Sequence, residues 1–111
     1  MPHIDTETVE ELRELMEEDF DILIQTYLRD SSVRMEELKA LLDGDDSDKA
    51  RNVAHILKGS SSNIGAPDIS AIAAKMEDSA KNGDMDTFKS LYPEAEAEYQ
   101  EVVKAFNEVL G

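Results

Sequence analysis

The chain has no cysteine, which removes disulfides, thiolate chemistry and cysteine-based metal sites together. No apolar run approaches the roughly 18 residues needed to span a bilayer, and no charged-then-apolar leader opens the sequence. The expected setting is therefore the cytoplasm. Positive charge is scarce: 11 Lys and Arg stand against 26 Asp and Glu, a formal net charge of −15 at pH 7. Nucleic acid and anionic membrane surfaces would both repel such a chain, so neither is an expected partner. Acidity of this degree suits solvated helix faces, and it makes any local cluster of cations conspicuous.

What is present suffices for one domain, read here over residues 1–111. A hydrophobic fraction of 41% in 111 residues supports a single core without staples. Glycine is another scarce type, and four of the five punctuate: Gly44, Gly65 and Gly83 fall where helices should stop, and Gly111 ends the chain. Only Gly59 lies inside a helical pattern, where glycine costs roughly 1 kcal/mol against alanine. A residue kept at that cost needs a reason.

Helical periodicity predicts five segments. The first runs from about Asp5 to Met16, with Thr8 and Glu11 as a capping box and Val9, Leu12, Leu15 and Met16 at helical spacing. The second runs from about Asp19 to Asp43 through Phe20, Ile24, Tyr27, Met35 and Leu38, and Gly44 to Ser47 forms the next stop and cap. The third, Ser47 to Ile64, buries Ala50, Val53, Ala54, Leu57, Ser61 and Ile64 and closes at Gly65. The fourth starts at Pro67 and packs Ile69, Ile72, Ala73, Met76 and Ala80. The last spans about Asp86 to Leu110, and Pro93 should kink or split it. No stretch alternates with strand period. Short connections make successive helices antiparallel neighbours, so the fold expected is all-α: an antiparallel up-and-down four-helix bundle with a short accessory N-terminal helix.

On a helical wheel at about 100° per residue, the apolar stripe of the third segment centres on Ala50 and Ser61. His55 falls about 140° from that centre, outside the stripe and on the solvent side. Arg51 lies one turn before it, Lys58 and Gly59 one turn after, and Ser62 two turns after. An imidazole with its ordinary pKa of about 6.5 keeps a nitrogen lone pair at neutral pH. Phosphoryl transfer asks chiefly for in-line positioning and positive charge on the equatorial oxygens, which Lys58 and Arg51 would supply. Gly59 would let a partner close over the ring without meeting a side chain; tight helix packing is the structural rival.

The run His55-Ile56-Leu57-Lys58-Gly59-Ser60-Ser61, followed by Ile64-Gly65-Ala66, closely resembles the signature of histidine-containing phosphotransfer (HPt) domains of two-component relays. The likeness extends over roughly Leu12 to Leu110: Phe20 to Leu28 with Asp30, Leu42 with Gly44 and Asp45, and Met76-Glu77 with Asn82-Gly83-Asp84 resemble flanking parts of the family pattern. The resemblance implies a four-helix bundle that accepts a phosphoryl group from a receiver-domain aspartate and passes it to another receiver. It implies that His55 is the phosphorylated residue, Lys58 its charge partner and Gly59 the gap admitting the receiver. Glu77 and Lys81 match positions that flank the histidine from the adjacent helix. Lys81 would add charge to the phosphate, whereas Glu77 would repel it and reads as a surface pair with Lys81. Ile56 either joins a hydrophobic docking patch or packs against a neighbouring helix.

Sensor kinases of these relays place an acid directly after the phosphorylated histidine and a threonine or asparagine three residues further on. Here Ile56 and Gly59 stand at those positions, and no nucleotide-binding domain accompanies them. The expectation is a carrier without autokinase or ATP-binding activity, not an enzyme in its own right. It would be a monomer that meets receiver domains of response regulators or hybrid sensor kinases transiently. Met1 and the short ends favour a free-standing shuttle. No cofactor or metal site is expected, and any Mg2+ in the reaction would be bound by the receiver. The alternative is a non-catalytic helical adaptor that binds response regulators.

Other signals are weaker. Asp43 to Asp48 places Asp48 and Ala54 where a calcium loop needs glycine and glutamate. Lys58-Gly59-Ser60 reverses the order of a phosphate loop. His3 lies near a terminus expected to fray, and two distant histidines without cysteine make a poor transition-metal site. An acyl carrier would need Asp-Ser-Leu at a helix start; Asp30-Ser31-Ser32, Asp46-Ser47-Asp48 and Asp78-Ser79-Ala80 all lack the leucine.

Overall fold

The computed structural model describes residues 3–111. Five helices follow one another: α1 (Thr6–Met16), α2 (Phe20–Ala40), α3 (Ser47–Ile64), α4 (Pro67–Lys81) and α5 (Met85–Leu110). Short 3-10 turns at Glu17–Asp19 and Leu41–Asp43 flank α2, so the second predicted helix is regular only in its middle. No strand occurs among the described residues. No helix there is long and apolar enough to cross a membrane.

Helices α2 to α5 close a ring in which α2 packs on α3, α3 on α4, α4 on α5 and α5 back on α2. This is the expected four-helix bundle. The α3–α4 hairpin is its most extensive contact. At 1.5 Å per residue the 26 residues of α5 extend about 39 Å, nearly the full 42 Å length of the molecule. The centre is filled by Phe20, Ile24, Leu38, Leu57, Ile69, Met76, Phe88, Val102 and Phe106, all essentially fully buried.

Two polar pairs lie within that apolar interior. Tyr27 and Ser61 share a 2.8 Å hydrogen bond between α2 and α3, and Ser31 and Tyr99 share another of 2.8 Å between α2 and α5. Burial pushes the Tyr27 hydroxyl up to about 12, so it stays protonated, and Ser61 satisfies it. The serine in the apolar stripe of α3 thereby fixes the register of the helix that carries His55.

Asp side chains cap the start of three of the helices. Asp46 accepts from the Lys49 amide at 3.1 Å and Asp84 from the Thr87 amide at 3.1 Å. Asp5 accepts from the Glu7 amide and the Thr8 hydroxyl. The Thr8–Glu11 box is therefore not the cap of α1: Thr8 already lies in the first turn, as a donor to Asp5. The accessory helix sits over one end of the bundle, where the Asp5 amide donates to the Gly65 carbonyl at 2.7 Å. Of its periodic residues Val9 is buried and Leu12 and Met16 half-buried, but Leu15 is 77% exposed. An 11-residue helix covering only an end has nothing to place over its whole stripe.

Pro93 does not split α5, which continues from Met85 to Leu110. Tyr92 and Ala95 on either side are buried. Packing against α4 and α2 holds the helix together where one backbone hydrogen bond is missing.

Candidate functional site

His55 lies in the middle of α3, and its side chain is 62% exposed. The wheel placed it outward, and outward it is. Its Nδ1 is 2.9 Å from Oε2 of Glu77 on α4. The other oxygen of the same carboxylate, Oε1, is 2.6 Å from Lys58 Nζ. Glu77 is thus a bridge between the two residues singled out on α3. Its side chain is 18% exposed, the most enclosed of the three. The Lys58 hydrogen bond, joined by that of His55, holds the Glu77 carboxyl below its ordinary value against the opposing effect of burial.

This corrects the sequence reading of Glu77 as a surface pair with Lys81. Lys81 is the i+4 neighbour along α4, but among the described residues the ion partners of Glu77 are His55 and Lys58 from across the hairpin. An ionised carboxylate can only accept. The Glu77 contact therefore assigns the imidazole proton to Nδ1 and leaves the lone pair on Nε2, the nitrogen away from Glu77.

Cations gather around this pair. Arg51, Lys58 and Lys81 line one hollow with Glu77. A second, of about 360 Å³, is lined by Arg51, His55 and Glu77 with Asp48 and Asn52, two residues to which the sequence reading gave no role. In a chain of net charge −15, the three cations that share the first hollow with Glu77 and Asp78 are a local concentration of positive charge.

Gly59 meets open space: a Cβ added there would have no neighbour within 4 Å. Helix packing is therefore not what excludes a side chain. Gly59 and Ser62 line a cleft of about 480 Å³ between α3 and α4. Across it the Ser70 hydroxyl donates to the Lys58 carbonyl at 2.9 Å, an inter-helix tie with no signature in the sequence. Ile56 is 40% exposed, so part of its side chain is open to solvent beside His55.

An all-α bundle with a solvent-facing imidazole on its central hairpin has the form of a histidine phosphotransfer module. Residues 22–105 match the Hpt domain family, and the chain belongs to it. The phosphorelay intermediate protein rdeA of Dictyostelium discoideum is 30% identical over 86 residues, 78% of this chain and 34% of that protein. The chain thus spans about a third of the length of this curated relative. Among solved structures, histidine-containing phosphotransfer protein B (HptB) from Pseudomonas aeruginosa PAO1 is similar with a TM-score of 0.93 at 33% identity, over 96% of this chain and 93% of that one. The histidine-containing phosphotransfer protein ZmHP2 from maize shares the fold with a TM-score of 0.87 at 24% identity, over 98% and 83% of the two chains.

Proposed function

We propose that this chain is a phosphoryl carrier in a two-component phosphorelay, taking the group from a receiver aspartate onto Nε2 of His55 and passing it to a second receiver. The observation that carries the reading is the Nδ1 contact to Glu77, on a ring that is otherwise open to solvent.

In the transfer, the Nε2 lone pair attacks phosphorus, the N–P bond forms, the acyl O–P bond breaks and the aspartate leaves as a carboxylate. The Nδ1 proton stays in place, so the ring gains positive charge as the bond forms. Glu77 faces that proton and offsets the charge from the side of the ring away from the phosphate. Its negative charge therefore assists the reaction. Lys58, with Arg51 and Lys81 about the same hollow, supplies charge to the equatorial oxygens. Gly59 and Ser62 border the open cleft into which the receiver closes, and Ile56 offers it an apolar contact. Mg2+ belongs to the receiver, and the chain itself neither binds ATP nor phosphorylates itself. It acts as a monomer, and its encounters with receivers are transient.

The test is incubation with a receiver charged by a small-molecule phosphodonor. Acid-labile, base-stable label should appear on the parent chain and be absent from His55→Gln. Equal labelling of that variant would remove His55 from its role. A chain that binds receivers but takes no label would be the adaptor instead.

A further inference from the structure

We propose a second site at the other side of the bundle: His3, Asp68 and Glu98 bind a divalent transition-metal ion, best matched by zinc, which fastens the N-terminal arm to α4 and α5. The three donors come from three separate elements, the arm before α1, the first turn of α4 and the middle of α5. Their ligand atoms all lie within 4.8 Å of one another, and all three residues are half-buried. His3 lies near a terminus expected to fray, and its Nδ1 is 2.8 Å from Glu98 Oε2. The partners are 95 residues apart, a pairing that no local spacing reveals.

The geometry suits a small ion. Zinc bonds of about 2.0–2.1 Å at a tetrahedral angle place ligand atoms about 3.4 Å apart. His3 Nδ1 and Glu98 Oε2 are 2.8 Å apart and the ligand atoms of all three residues lie within 4.8 Å of one another, so modest side-chain rotation meets that value. Metal binding at Nδ1 requires the other ring proton to sit on Nε2. There Glu101 Oε2 stands 3.7 Å away, outside hydrogen-bond distance but close enough for its charge to favour that tautomer. Binding displaces the proton that Nδ1 shares with Glu98, which passes to solvent. Asp68, Glu98 and Glu101 line an open cleft of about 510 Å³, which leaves room for water at a fourth position.

The donor set selects the class of ion. Calcium and magnesium favour six or more oxygen ligands, and soft ions favour sulfur. One imidazole with two carboxylates suits a borderline ion such as zinc. The strong negative charge of the chain adds attraction for any cation. This site is independent of the phosphoryl-carrier reading, and it departs from the sequence expectation that the chain has no metal site.

The experiment is a calorimetric titration of zinc chloride into the full chain carrying no affinity tag, with thermal unfolding as a second readout. Expected is one ion per chain with a Kd on the order of 10 µM and a Tm that rises with zinc. His3→Gln and Asp68→Asn should each weaken binding by roughly tenfold or more and abolish the zinc-dependent rise. His55→Gln should bind as the parent does, and millimolar Mg2+ should not compete. Failure to bind at about 100 µM zinc, equal affinity in His3→Gln and Asp68→Asn, or loss of binding in His55→Gln would each overturn the proposal.

Discussion

Glu77 carries more of the chemistry of this surface than its type suggests. It reaches across the hairpin to bond His55 and Lys58 with separate oxygens, so its removal frees both. Glu77→Ala should slow phosphoryl transfer from a charged receiver by roughly tenfold, the value of one lost orienting hydrogen bond of about 1.4 kcal/mol. Glu77→Gln keeps an acceptor for Nδ1 but not the charge, and its rate should fall between the two. Rapid-quench labelling separates them, and equal rates for all three chains would leave Glu77 without a part in the transfer. Acid should expose the same contacts through stability. The Glu77 carboxyl is held below its ordinary 4.5, so its contribution is fully present above that value and is lost as pH falls through the lower folded one. The stability difference between parent and Glu77→Gln in urea should therefore shrink as pH falls below the ordinary carboxyl value of 4.5.

The two ends of one stretch of α3 use glycine for opposite reasons. Gly65 ends the helix with φ of +88°, and an added Cβ would lie 3.1 Å from Thr8 Cγ2. Alanine there must adopt a left-handed conformation and push against α1, so Gly65→Ala should cost roughly 1–2 kcal/mol or more in urea unfolding. Gly59 has helical neighbours and open space. Gly59→Ala should stabilise the fold by about 0.5–1 kcal/mol while slowing phosphoryl transfer, because the methyl group stands where the receiver approaches. A destabilised Gly59→Ala would point to packing instead.

These elements also mark how far the sequence could be read. Periodicity located all five helices and the outward face of His55, because both depend on spacing within one helix. It misjudged what depends on a neighbour. Leu15 has the right spacing for a buried stripe but no helix opposite it. Of the two outcomes open at Pro93, a kink or a split, packing on both sides removes the split, and α5 runs on from Met85 to Leu110. Glu77 had an i+4 cation in Lys81, and only the pairing of α3 with α4 brings Lys58 and His55 to it instead.

Taken as a whole, the molecule is an acidic body in which three cations share one hollow on one flank with Glu77 and Asp78. Its ion pairs among the described residues are few relative to 26 acidic residues, and the more exposed of them, such as Arg13–Glu10 and Lys89–Asp45, contribute little. Repulsion among the surplus carboxylates should therefore dominate the response to salt. The Debye length falls from about 30 Å at 0.01 M to about 8 Å at 0.15 M, short enough to decouple carboxylates on opposite faces of a bundle whose cross-section is 24 × 19 Å. Adding NaCl over that range at pH 7 should raise the Tm by about 3–6 °C, equivalent to roughly 1 kcal/mol. A Tm that fell instead would mean that attractive pairs such as Lys58–Glu77 and Lys89–Asp45 outweigh the surplus. The position of the cations sets a further consequence. Arg51, Lys58 and Lys81 line one hollow with Glu77 and Asp78, and Glu77 contacts His55, so the same salt that stabilises the body screens these cations where a phosphoryl group would arrive. Stability should rise and the transfer rate fall over one titration, a divergence that a uniformly distributed charge could not produce.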